Sequence, residues 1–282
     1  MALIVCPLCV REDDVVVLRT LPDGRKEAEC TDCKFTFPFG SPTPEATPAA
    51  ARKSTPRRAA STVVAPRPIA YVVQQFPKAT DVDAGALERV EALKQEFLAT
   101  PYEPDPLVAR HWAKFAWVFS ADGLDKATIY DLKLFADDPT GASTGDPTEF
   151  DKAWVLLGEL EGARRVRAVS AHLLRGPGEL EDRLSNLVDQ GFGFSMPGWG
   201  EGLLTKTLAV ADPDRFLPIV TYADKRAIIE SLYGLELANV DLTSWTIGRL
   251  GVWSNDLLVE LLGDDFADLH HAAAFLRWAH HH

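Results

Sequence analysis

The chain has 282 residues, 46% of them apolar and 25% charged, which is the balance of a soluble globular protein with room for two domains or for one domain and an appendage. Its net charge of −12 argues against a general nucleic-acid coat but leaves room for a local basic patch. No window reaches the roughly 18 apolar residues of a membrane span, and the opening MALIVCPLCV has neither a basic n-region nor a cleavage site, so no membrane contact and a cytoplasmic location are expected.

The four cysteines fall in two pairs, Cys6 and Cys9 in CPLC and Cys30 and Cys33 in CTDC, about twenty residues apart. Two residues between ligands let a tight knuckle point both sulfurs at one metal. Four thiolates fill a tetrahedral zinc site and leave no position for water, so the metal is expected to be structural. Between the pairs, VVVLRTLPDGRKEAEC reads as a β-run, a Pro-Asp-Gly turn and a polar return strand. Residues 1–40 are therefore expected to form a zinc ribbon, too small to fold without its metal. Such ribbons bind DNA, RNA or protein, and this one carries about as many acids as bases.

Residues 41–68, SPTPEATPAAARKSTPRRAASTVVAPRP, are rich in proline and alanine and lack apolar periodicity, as expected for a linker. Arg52, Lys53, Arg57, Arg58 and Arg67 stand against Glu45 alone, a net of +4. These cations either keep a tether solvated or graze a phosphate backbone.

From Ile69 to Ala279 the apolar spacing is mostly helical. One helix is expected from an Asp83 cap, and another from Asp105-Pro106 to Gly123. Further runs cover roughly 147–160, 162–175, 178–190, 199–211, 222–233, 254–262 and 264–279. Residues 127–147 read as a helix or short strand followed by a polar loop. Trp112, Phe115, Trp117 and Phe119 suit a buried helix face better than a base-stacking platform. His270 and His271 are adjacent and so point in different directions on a helix. The final residues 280–282, all histidine, read as a tag remnant, with the natural chain expected to continue beyond Ala279.

The stretch FGFSMPGWGEGLLTKT invites comparison with a nucleotide-binding loop. Counting back from Lys206-Thr207, Gly200 falls on the first glycine position of a Walker A motif, but Thr205 replaces the second glycine and no strand precedes. The order helix, P-G-x-G, helix instead suits a helix-hairpin-helix element. In that element Gly198 and Gly200 would expose backbone N–H groups to a DNA phosphate at a helix N-terminus. Lys206, Lys225 and Arg226 would supply charge, and Trp199 would wedge or stack at the tip. Phe192, Phe194 and Trp199 could wall a pocket for a flipped base. The same glycines would also serve a plain helix–helix turn.

The segment from MPGWG to YADKR resembles the hairpin-to-aspartate region of helix-hairpin-helix DNA glycosylases, which implies Asp224 as a catalytic acid. The hairpin-to-aspartate spacing is longer than in that family, and Gly202 or Leu203 stands where its bifunctional members place a lysine. The phrases LLTKTLAVADPDRFLPIVTYADKRAIIESLYG and LGVWSNDLLVELLGDDFADLHHAAAFLRWA are similar to the amino-terminal region of McrB-like AAA+ ATPases of modification-dependent (type IV) restriction systems. That resemblance implies an antiviral defence protein whose DNA-recognition region precedes a motor and acts with a separate nuclease subunit. The sequence thus predicts a mainly α protein with an N-terminal zinc ribbon and a helix-hairpin-helix-like element in its helical domain, without catalysis of its own. It would be a DNA-binding specificity module, with the Asp224 glycosylase-like enzyme and a protein-interaction module as alternatives.

Overall fold

Val15, Val16 and Val17 begin a β-branched run whose stiff side chains favour extended backbone. It forms strand β1 (Val15–Thr20), which pairs antiparallel with β2 (Lys26–Cys30), and β2 pairs antiparallel with β3 (Thr36–Phe39). The expected hairpin is present, and β3 extends it to a three-stranded sheet in the order β1-β2-β3. The structure, a computed structural model, describes residues 15–20, 26–31, 36–39, 68–237 and 244–282. The chain divides into two compact units, residues 1–63 and 64–282. Cys6, Cys9 and Cys33 lie outside the described residues, as do Arg52, Lys53, Arg57 and Arg58, and Cys30 is placed only as the last residue of β2. The zinc ribbon therefore stands as an expectation.

Among the described residues, every regular element of the second unit is a helix. A short α1 (Ile69–Val73) leads into α2 (Ala84–Leu98), which starts where Asp83 accepts the Gly85 N–H at 2.8 Å. Helix α3 (Pro106–Val118) starts at Asp105, which accepts the Leu107 N–H. It ends five residues before the expected Gly123 because Ser120 caps a new helix, α4 (Ala121–Lys126), by accepting the Gly123 N–H at 3.0 Å. Gly123 is needed at that corner, since a Cβ there would stand 1.7 Å from the Trp117 carbonyl oxygen. The ambiguous stretch after Ala127 resolves as helix α5 (Ile129–Asp137), opened by a capping box between Thr128 and Asp131.

Then follow α6 (Thr148–Leu157), α7 (Glu159–Arg175), α8 (Leu180–Val188), α9 (Glu201–Ala211) and α10 (Tyr222–Ile228), the last continued by a π-helical turn over Ile229–Tyr233. Helix α11 (Ile247–Leu262) begins seven residues before the expected run. Its early half contains Gly248, which looks like a helix breaker in sequence but permits a close crossing with α8. A Cβ on Gly248 would lie 2.0 Å from the Glu181 carbonyl oxygen. Helix α12 (Leu269–His280) starts later than expected, at the Asp268 cap on the His271 N–H.

Two large buried clusters and a small one around Val72, Phe76 and Trp245 lie among the described residues of this unit. One gathers residues of α3 to α9 around Phe115, Phe119, Phe135, Leu173 and Leu204, and the other gathers α2 and α10 to α12 around Tyr233, Leu258, Phe275 and Leu276. Trp112, Phe115 and Phe119 lie in the core as expected, whereas Trp117 is exposed. His270 meets the Trp112 ring edge-on at 4.2 Å while His271 stacks on Tyr102 at 4.0 Å, so the pair does diverge. Among the described residues, no helix is long and apolar enough to cross a membrane.

Candidate functional site: the glycine turn and its surroundings

Helix α8 gives way to a run of tight turns. Gln190 takes a left-handed conformation and Gly191 N–H closes on the Asn186 carbonyl at 2.8 Å. Ser195 N–H then reaches the Phe192 carbonyl, and Trp199 N–H the Met196 carbonyl. Gly198 has φ +77°, and a Cβ on it would stand 2.2 Å from the Phe150 backbone nitrogen. It is glycine because the turn presses against the start of α6. Gly200, in extended backbone at the entry to α9, meets nothing within 4 Å.

The residues expected to grip a phosphate are mostly inside. Trp199 is only 3% exposed and packs against Phe150 at 5.6 Å and Phe135 at 5.9 Å, so it is a core residue and not a hairpin tip. Every residue of α9 from Leu203 to Val210 is buried. Lys206 is 0% exposed. Its ammonium donates to the carbonyls of Phe135 and Asp138, closing the C-terminal end of α5, and lies 4.8 Å from the centre of the Phe135 ring. Burial pushes its pKa down to about 8, with nearby Asp138 opposing the shift. Lys225 is equally buried, donates to the Gly251 carbonyl at 3.2 Å, and is also pushed by burial to about 8. Of the three expected cations only Arg226 is exposed, and it is paired with Glu230 at 2.5 Å.

The N-terminus of α9 already has an anion of its own. Glu201 sits in the first turn, and its carboxylate accepts the Tyr222 N–H. Burial raises the Glu201 pKa, and the Tyr222 bond and the nearby Lys225 partly offset this. A phosphate arriving there would meet that carboxylate.

The three aromatic residues proposed to wall a base pocket do not come together. Phe192 stacks on His172 at 4.4 Å, and Phe194 lies edge-on to Phe192 at 5.9 Å and under the Arg164 guanidinium at 5.4 Å. Trp199 belongs instead to the aromatic column of Phe135 and Phe150. Asp224 is exposed in the first turn of α10, where its carboxylate accepts the Thr221 hydroxyl at 2.6 Å.

Three further arginines of this unit serve helix ends. Arg167 donates to the Ala127 carbonyl beyond α4, Arg175 to the Phe119 carbonyl beyond α3, and Arg183 to the Leu173 carbonyl near the end of α7. Arg164 and Arg165 share Glu161, whose pKa falls to about 2 beside them. Residues 69–282 carry 33 acids against 19 bases, a net of −14. Sequence reasoning missed the internal position of the two lysines. The one available signal was the lack of a polar face on α9, where Thr205 and Thr207 flank Lys206 among leucines.

No family model matches the chain, and neither a curated protein nor a solved structure matches it significantly. The functional reading therefore rests on the chain's own chemistry.

Proposed function

We propose that the protein is a two-part adaptor in a restriction or phage-defence system. Its zinc ribbon and basic linker contact DNA, and its acidic helical unit docks a protein partner, a motor or nuclease subunit. The observation that carries this reading is the distribution of charge. The helical unit is net −14, and the lysines placed to meet a phosphate are capping backbone carbonyls inside it. The linker, by contrast, is net +4 with no carboxylate after Glu45. Phosphate contacts release counterions and so need cations free to reach the backbone. Protein docking is supported by the corner between α6 and α7, where Val155, Leu156 and Leu160 are 81%, 87% and 79% exposed.

Titration of the full chain with duplex DNA at two salt concentrations tests this. Replacing Arg52, Lys53, Arg57 and Arg58 together by alanine should lower the salt slope by roughly three to four units, about one per lost contact. Lys206→Met should leave the slope unchanged. A slope that survives the quadruple change but falls in the Lys206 variant would return the contact to the glycine turn. If the chain binds no duplex at all, the protein-interaction half of the reading stands alone.

A further inference from the structure

A cleft of about 630 Å³ in the helical unit opens between the loop after α5, the segment leading into α10, and the end of α12. Ala142, Ile219, Val220 and Ile228 line it, and all four are buried apolar residues. Two opposite charges, Asp224 and Arg277, face the same space. They are not paired with each other, and among the described residues neither has an oppositely charged group within 4 Å. Arg277 uses one N–H on the Pro218 carbonyl at 2.5 Å, which fixes its orientation and leaves most of its fork free. Asp224 holds the Thr221 hydroxyl with one oxygen, and among the described residues the other has no donor.

We propose that this cleft binds a small zwitterion of the aliphatic amino-acid class, its carboxylate on Arg277, its ammonium on Asp224 and its side chain against the apolar wall. The volume lies within the range of small-molecule sites, roughly 300–1,000 Å³. A guanidinium matches a carboxylate in a two-point contact. A phosphate dianion fits less well, because among the described residues no lysine and no second arginine lines the cleft, and Asp224 would repel it. His280 and His281 also line the cleft and carry no part of the proposed recognition. The site is separate from the glycine turn, no residue of which lines it.

Calorimetry on the full chain with three probes tests the proposal: L-leucine, 4-methylpentanoate (the same skeleton without the amine) and 3-methylbutylamine (the same skeleton without the carboxylate). Leucine should bind, and each analogue should bind roughly tenfold more weakly or worse. Arg277→Gln should reduce leucine to the level of the amine, and Asp224→Asn should reduce it to the level of the acid. Both residues are exposed, so the folded state should survive either change, and circular dichroism checks this. Replacing His280 and His281 by alanine should leave leucine binding intact. The proposal is overturned if leucine at about 10 mM gives no heat, or if folded Arg277→Gln and Asp224→Asn bind it as tightly as the unaltered chain.

Discussion

Gly198 and Gly200 stand two residues apart and answer to different constraints. Gly198 combines a positive φ with a backbone approach that no Cβ could survive, whereas Gly200 has an ordinary extended backbone and open space around it. Gly198→Ala should cost more than about 2 kcal/mol, from the disfavoured φ together with overpacking against α6. Gly200→Ser should be neutral or stabilising by a few tenths of a kcal/mol, roughly the difference between these residues at a helix N-cap. Urea unfolding of the two variants measures both, and equal losses would mean the packing role is misassigned. Lys206 carries a second expectation at this scale. Its folded pKa of about 8 lies below the ordinary lysine value. Between those two values the unfolded chain holds a proton that the folded chain has released, so stability rises with pH across that window. Lys225 adds a similar rise. Lys206→Met should therefore flatten the climb above pH 8 by roughly 1–3 kcal/mol without abolishing it. A variant that climbs as steeply as the unaltered protein would contradict the burial of that ammonium.

At the scale of elements, caps were legible in the sequence where they are local. Asp83 and Asp105 mark the starts of α2 and α3 in both readings, because an Asx side chain bonds an N–H only two residues on. What the sequence could not show was which glycines are there for another chain segment. Gly248 reads as a breaker until α8 is seen to cross it, and Gly123 reads as a stop until Ser120 proves to begin a second helix. Helix α9 misled for a related reason. Its lysine and threonines resemble a solvated face, yet the helix is surrounded, and Thr207 turns its hydroxyl back to the Leu203 carbonyl. Of the residues expected to contact DNA around the glycine turn, Gly200 and Arg226 are exposed, whereas long-range packing, which no local spacing encodes, claims Trp199, Lys206 and Lys225. The capping claim can be checked at α4, where Ser120→Ala should cost about 1 kcal/mol in thermal unfolding. A loss near zero would mean the kink after Phe119 does not depend on that hydroxyl.

Across the whole molecule, acid should be more damaging than mild base. His111, His172, His270 and His271 all have pKa values lowered by burial, and the ring nitrogens Nε2 of His111, His172 and His270 are buried without a partner. As pH falls through the ordinary histidine range, the unfolded chain takes up protons that the folded chain resists, so stability is lost on acidification. Urea unfolding at pH 7 and pH 5 should show that loss, and equal stability at the two values would contradict it. Purified protein should also contain one zinc per chain. Cys30→Ala should remove it while leaving the cooperative unfolding of residues 64–282 in place, as metal analysis and calorimetry would register.

The ribbon and linker are proposed to hold whatever contact the chain makes with DNA. Hydrogen–deuterium exchange of the full protein with and without duplex DNA addresses it directly. Protection is expected in residues 1–67, with residues 192–226 unchanged because their backbone is already engaged in turns and a buried helix. New protection centred on residues 196–206, with none in the linker or ribbon, would contradict the assignment and restore the glycine turn as the DNA contact.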